Sequence, residues 1–178
     1  MIKISTLFKK DPSDLGRVIN EVNPENQWVM DGEGTPYKKW DGTACAIING
    51  DLYKRYDVKK GKTVPEGAIP CQEPDKITGH WPHWVKCNRN DNADKYHFEA
   101  FDLMFEEDIV DGTYELVGPK VNGNNEGLTC HELFRHDCYP LFDFDLPHTF
   151  DSLKNYLTNW NIEGIVFHHQ HDGRMCKI

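Results

Sequence analysis

The chain lacks the features that would place it in several large protein classes. No apolar run approaches the ~20 residues a membrane-spanning helix needs. The opening Met1-Ile2-Lys3-Ile4-Ser5 carries a charge with no long apolar stretch behind it, so it does not read as a signal peptide. Six cysteines, at positions 45, 71, 87, 130, 138 and 176, form no C-x-x-C pair and are too sparse for a small disulfide scaffold. Free thiols in a reducing, cytoplasmic setting are the expectation. Neither a G-x-x-x-x-G-K-[ST] loop nor a G-x-G-x-x-G fingerprint is present, so those two glycine-loop routes to nucleotide binding have no support. Repeats and low-complexity linkers are missing as well. The 178 residues therefore read as a single domain over 1–178, with no separate C-terminal domain. A chain of that length buries roughly 70% of the surface it exposes when unfolded.

An excess of positive charge is also lacking. The net charge is −9, which argues against broad, nonspecific binding of nucleic acid. Residues 53–62 depart from this, with five cations, one anion and two interleaved tyrosines. That local pattern suits contact with a nucleotide or a nucleic acid.

The strongest local signal is Asn49-Gly50, a favoured two-residue hairpin loop, between strands at 44–48 and 51–56. The implied register sets Ile48 against Asp51, Ile47 against Leu52 and Ala44 against Arg55. Arg55 is thereby carried back beside the end of Lys39-Trp40-Asp41-Gly42. Residues 64–83, rich in proline and glycine, read as a long surface loop or lid. Residues 96–105 and 114–117 read as strands. Phe150–Trp160 places Leu153, Tyr156, Leu157 and Trp160 at helical spacing and reads as an amphipathic helix. Residues 165–168 and 174–178 read as paired strands around an Asp172-Gly173 turn. Residues 13–22 read as a helix interrupted by Gly16, with Leu15, Val18, Ile19 and Val22 on one side. Strands dominate without regular β-α alternation, which predicts an α+β fold with largely antiparallel sheets.

Lys39-Trp40-Asp41-Gly42 is weak alone, because K-x-D-G recurs by chance. It gains force from the residues that follow in order: Arg55, Glu115, Glu163 and Lys177. Together they read as a lysine that attacks a nucleoside triphosphate and keeps the nucleotide covalently. A free lysine titrates near 10.4, so its neutral form at pH 7 costs on the order of 4–5 kcal/mol. Neighbouring cations and partial burial lower that cost. Arg55, Lys177 and a bound metal ion are the candidate cations. Glu115 and Glu163 are acceptors that suit ribose hydroxyls or Mg²⁺. Gly42 and Gly164 allow close approach of backbone and ligand. Taken singly, each charged residue is an ordinary surface group. Two loose clusters, Cys130-His131-Glu132 with His136-Asp137-Cys138, and His168-His169 with His171 and Cys176, lack the tight paired spacing of zinc sites. They read as satisfied loop and core histidines.

At these residues the chain resembles the covalent nucleotidyltransferase superfamily of RNA ligases, DNA ligases and mRNA capping enzymes. Residues 39–42 look like its motif I, Arg55 like the arginine of motif Ia, and Glu115 like the motif III glutamate. Residues 163–166 look like motif IV, and Lys177 like the first lysine of motif V. The runs Glu115-Leu116-Val117-Gly118-Pro119-Lys120-Val121-Asn122-Gly123-Asn124 and Val64-Pro65-Glu66-Gly67-Ala68-Ile69-Pro70 are most similar to small RNA ligases of the human RNA ligase 1 type. The resemblance covers about residue 28 onward. It implies a nucleotidyltransferase fold, with two mainly antiparallel sheets, flanking helices and the nucleotide site between them. It implies ATP with Mg²⁺ or Mn²⁺, nucleotide contacts from Lys39, Asp41, Gly42, Arg55, Glu115, Glu163 and Lys177, and metal contacts from Glu115 and Glu163. For the aromatic that stacks on adenine it offers Phe134, which core packing would also explain.

The sequence departs from the pattern in three places, one being that no aromatic is clearly marked out for stacking on adenine. Lys38 stands where many RNA ligases have an acidic residue, and Ile178 ends the sequence before the usual second lysine of motif V. The implied activity is ATP-dependent joining of RNA 5′-phosphate and 3′-hydroxyl ends in RNA repair. The rivals are a lysine-nucleotidylating enzyme with a DNA nick, a cap or a protein as acceptor, and a non-enzymatic nucleic-acid or metal-binding module.

Overall fold

In a computed structural model the described residues are 4–76, 78–138, 140–141, 149–160 and 162–178. The first three residues, on which the reading of the N-terminus rests, and Ile77 of the proline-rich segment lie outside them. The chain divides into two compact units. One, the central unit, runs through Asp41–His136; the other, the terminal unit, combines Lys3–Trp40 with Asp137–Ile178. Among the described residues strands outnumber helices in both units, and the chain is α+β with sheets and few helices.

The terminal unit contains β1 (Ser5–Thr6), β2 (Phe8–Asp11), β3 (Asp14–Val22), α1 (Gln27–Met30) and β4 (Thr35–Lys39). The central unit follows with β5 (Thr43–Ile48), β6 (Asp51–Val58), β7 (Ile69–Pro70), β8 (Trp81–Lys86), α2 (Lys95–Phe101), β9 (Gly112–Val117) and β10 (Glu132–Arg135). The chain then returns to the terminal unit with α3 (Phe150–Trp160), β11 (Gly164–His168) and β12 (Met175–Lys177).

In the terminal unit a four-stranded sheet runs β1-β12-β11-β4, and β2-β3 forms a separate ribbon. One face of the sheet supplies Ile165, Phe167 and Cys176 to a core shared with Leu7, Phe8, Trp28, Val29 and Leu153. Leu153 is the fully buried anchor of α3, whose bounds match the sequence pattern; Tyr156 and Leu157 pack beside it, whereas Trp160, expected on the same buried face, is 64% exposed at the helix end. In the central unit a six-stranded sheet runs β10-β9-β5-β6-β8-β7. Its core face carries Cys45, Ile47, Leu52, Tyr114 and Leu116, packed with Ala100 of α2. The Asn49-Gly50 turn takes positive φ at both residues, and the strands pair from Cys45↔Lys54 to Ile48↔Asp51 in the expected register. Backbone N–H groups of Asn49 and Gly50 also bond to the Asp111 carboxylate, at 2.8 and 3.2 Å.

Three expectations about elements are overturned. Residues 13–22 form strand β3 rather than a helix. Its β-branched residues favour extended backbone, Gly16 weakens a helix, and β2 offers a partner, with Phe8 opposite Val22. Val18 and Val22 then pack on the core, whereas Leu15 points to solvent. Residues 96–105 contain helix α2 rather than a strand. Asp91 starts the turn by accepting from the Ala93 N–H at 2.9 Å, and helical spacing sets Tyr96 and Ala100 toward the same core. The segment 64–83 is not all loop, because β7 lies in it and β8 begins at Trp81. Tryptophans 81 and 84 favour a strand, and β8 pairs along β6 from Val58↔Trp81 to Tyr53↔Lys86.

No two of the six cysteines are joined in a disulfide. Burial pushes the thiols of Cys87 and Cys176 up to about 12 and raises that of Cys45 well above its usual range. No helix among the described residues is long and apolar enough to cross a membrane.

Candidate functional site

Lys39, Glu163, Gly164 and Lys177 belong to the terminal unit. Lys39 is the last residue of β4 and stands opposite Gly164 of β11. Tyr37 and Lys177 both stand opposite Val166, on the two sides of β11. Opposed residues share a face and alternate residues return to it. Lys39, Tyr37 and Lys177 therefore emerge on one face, opposite the face that builds the core. Lys38 opposes Ile165 and so belongs to the other face, where its ammonium lies 4.0 Å from the centre of the Trp40 ring. The lysine standing in place of an acidic residue is thus turned away from the surroundings of Lys39.

Glu163 lies immediately before β11, and its Oε1 forms an ion pair with Lys39 Nζ. Both side chains are about one-third exposed, 29% and 35%. The sequence reading gave Lys39 cations as neighbours. The partner found is a carboxylate, so attack by the nitrogen requires this pair to part. Gly164 has a plain steric role. A Cβ there would collide with the carbonyl oxygen of Ile178 and lie 3.4 Å from Cδ of Lys39. The bare backbone lets the end of the chain close on β11, through reciprocal bonds of 3.0 Å between Ile165 and Ile178.

Asp41, Gly42, Arg55, Glu115 and Phe134 belong to the central unit. Ala44 of β5 and Phe134 of β10 each stand opposite Glu115 of β9. The hairpin register sets Arg55 of β6 one step past Cys45↔Lys54, level with Ala44, and Trp84 of β8 opposes Arg55. Phe134, Glu115, Ala44 and Arg55 thus form a row across four adjacent strands, on the face away from the core. At the usual strand spacing Glu115 and Arg55 are about 10 Å apart, with only an alanine methyl between them. An acceptor, a cation and an aromatic ring around a small-residue floor can grip a ribose and a base.

The carboxylate of Glu115 is fixed by His136, which reads from the sequence as a satisfied histidine without a named partner. His136 Nε2 lies 3.0 Å from Glu115 Oε2, and its Nδ1 lies 3.0 Å from Thr113 Oγ1. His136 thus supports Glu115 rather than joining Cys138 in a metal cluster. His131 is a core histidine. It accepts a 3.2 Å bond from the Lys120 N–H and lies 3.0 Å from Glu99 Oε1. His169 sits between Glu33 and Asp172, at 2.8 and 2.9 Å. Among the described residues neither sequence cluster gathers three metal-ligating atoms.

Asp41 and Gly42 are clamped by the loop after β9. Asn122 Nδ2 donates to Asp41 Oδ1 at 2.9 Å and to the Gly42 carbonyl at 2.7 Å. Asn125 Nδ2 donates to Asp41 Oδ2 at 2.5 Å, and the Asp41 N–H bonds to Glu126 Oε1 at 3.3 Å. Asn122, Gly123 and Asn124 all take positive φ, which bends the loop so that these amides reach Asp41. This ties the run 115–124 physically to the Asp41-Gly42 step. A Cβ on Gly42 would strike the carbonyl oxygen of Leu116 and come within 2.7 Å of Glu115 Cγ. Gly42→Ala is therefore expected to displace Glu115 and to cost on the order of 1–3 kcal/mol of stability. Chemical denaturation compared with wild type checks this, and an unchanged midpoint would contradict the packing described.

Glu115 and Glu163 each keep oxygen lone pairs beyond the contacts above. Partly exposed carboxylates of this kind fit Mg²⁺, which favours oxygen ligands and retains several waters.

No protein-family model matches the chain. It is 27% identical over 154 aligned residues to RNA ligase 1 of Pongo abelii, a match that covers 66% of this chain and 47% of that protein. The similarity supports a distant relationship to an RNA ligase. The chain spans about half the length of the curated relative it matches.

Proposed function

We propose that the chain is an ATP-dependent RNA ligase with a nucleotidyltransferase fold, working through a covalent lysyl-AMP. Lys39 Nζ attacks the α-phosphorus. The ammonium first loses a proton to solvent; a P–N bond then forms, the P–O bond to the β-phosphate breaks, pyrophosphate leaves with the bonding electrons, and the attacked nitrogen loses a second proton to solvent. Glu163 orients the nitrogen and releases it for attack. Lys177, on the same face as Lys39, holds negative charge on the α-phosphate. Glu115 and Arg55 contact the ribose, and Phe134 offers its ring to the base. Mg²⁺, when bound, would neutralise charge on the phosphate oxygens; Glu115 in the central unit and Glu163 in the terminal unit are the carboxylates that would offer it oxygen ligands. The AMP then passes to an RNA 5′-phosphate, and a 3′-hydroxyl displaces it to seal the strand.

The observation that carries this reading is the row Phe134, Glu115, Ala44, Arg55. Its members are scattered through the sequence, and strand pairing alone sets them side by side on the face away from the core cluster. The distant likeness to an RNA ligase supports the choice of RNA as acceptor.

A matched panel of RNA and DNA strands, single and nicked, with each end group varied, tests the reading. The expected result is joining or circularisation of 5′-phosphorylated single-stranded RNA, none with a 5′-hydroxyl, and poor use of a DNA 3′-hydroxyl strand. Binding of free RNA is expected to be weak and to fall steeply with salt, since few phosphates meet the local cations of residues 53–62. Faster sealing of nicked DNA than of any RNA would transfer the activity to a DNA acceptor.

A further inference from the structure

A second constellation lies on the core side of the central sheet, apart from Lys39 and Glu115. Cys87 follows the end of β8, Asp94 immediately precedes α2, and His97 lies in the first turn of that helix. Their ligating atoms all lie within 4.8 Å of one another. Cys87 and Asp94 are buried, at 7% and 1% exposure. The Nδ1 atom of His97 is also buried and has no hydrogen-bond partner among the described residues. Buried ring nitrogens normally have a partner, and leaving one without costs about 1–3 kcal/mol.

Packing alone explains part of this cluster. Asp94 Oδ1 pairs with Lys54 Nζ, and its Oδ2 accepts a 2.9 Å bond from the Asn88 N–H. Those contacts account for the buried carboxylate but leave the imidazole nitrogen and the adjacent thiol without a purpose. Each carboxylate oxygen has two lone pairs, so one on each is still available.

We propose that Cys87, Asp94 and His97 bind one divalent transition-metal ion of borderline softness, with Zn²⁺ as the best fit and the fourth position open to water. One sulfur, one nitrogen and one oxygen donor suit such an ion. Tetrahedral ligands at about 2.0–2.3 Å from zinc lie about 3.5 Å from one another, so small rotamer changes close the site. Lys54 and Asn88 then act as the outer partners that hold the ligating carboxylate in place. Binding converts the Cys87 thiol to a metal-bound thiolate and releases one proton. The ion would tie the end of β8 to the start of α2, with Lys54 of β6, the strand that also carries Arg55, against its carboxylate ligand. This proposal stands apart from the ligase reading and has a separate readout.

Titration of the full-length, reduced, metal-free protein with Co²⁺ tests it. The expected result is one equivalent bound, with a sulfur-to-cobalt charge-transfer band in the near ultraviolet and tetrahedral bands in the visible, both abolished by added Zn²⁺. Cys87→Ser should lose the charge-transfer band, and His97→Ala should weaken binding by at least about tenfold. Cys130→Ser, outside the cluster, should behave as wild type. Absence of a thiolate–cobalt band in the wild-type protein overturns the proposal without recourse to any variant. A band that persists in Cys87→Ser, or one that vanishes in Cys130→Ser, overturns it too.

Discussion

Lys39→Ala is expected to abolish covalent labelling by α-labelled ATP while the protein stays folded. Lys39 ends β4, its side chain is on the face away from the core, and its one described ion pair is with Glu163. A partly exposed ion pair contributes about 0–1 kcal/mol, so its loss shifts the unfolding midpoint by only a few degrees. The chemistry has no such tolerance, because alanine offers no nitrogen to form the P–N bond. The informative control is Lys38→Ala. Strand alternation turns Lys38 to the other face, beside Trp40, so this variant should label close to wild type. A denaturing gel after incubation with ATP and Mg²⁺ reads both. Full labelling of Lys39→Ala, or loss of label in Lys38→Ala alone, would mean that the nucleophile is misassigned.

Glu163→Ala is expected to slow lysine adenylylation by at least ~100-fold. Two effects oppose each other here. Removing the carboxylate frees the Lys39 nitrogen from its ion pair, a gain of about 1 kcal/mol or less at this exposure. It also removes a preorganised charged contact, and such contacts in phosphoryl and oxyanion sites are typically worth 10²–10³ in rate, or about 2.7–4 kcal/mol. The second effect is larger, so the rate falls. Lys177→Ala should fall by a similar factor, since it removes the cation on the same face. Single-turnover rates of lysyl-AMP formation distinguish the outcomes. A normal rate in Glu163→Ala would leave this glutamate as a surface partner of Lys39 and nothing more.

Much of this arrangement was legible in the chain before folding, for reasons that differ by element. The Asn49-Gly50 turn dictates its hairpin register locally, so the level of Arg55 against Ala44 follows from sequence alone. Helix α3 shows Leu153, Tyr156 and Leu157 of its buried stripe within eleven residues, and only Trp160, at the helix end, departs from it. Strand β3 was misread because Leu15, Val18, Ile19 and Val22 satisfy helical spacing, whereas the partner that makes them a strand, β2, carries no local signal. Helix α2 was misread because its aromatic residues suggest a strand, and the decision falls to the turn at Asp91 and to burial of Ala100. At the candidate site, the order of Lys39, Arg55, Glu115, Glu163 and Lys177 was visible. The placing of Phe134 beside Glu115 depends on β9–β10 register, and the ion pair of Lys39 with Glu163 depends on β4–β11 pairing. The grip of Asn122 and Asn125 on Asp41, and of His136 on Glu115, are tertiary contacts with no signature in residue spacing.

The most direct test is peptide mass spectrometry of the protein after incubation with ATP and Mg²⁺ and removal of free nucleotide. The account predicts a peptide carrying the mass of one AMP on Lys39, released by acid and absent when the metal is chelated. AMP on any other residue, or a protein that carries none, would contradict it.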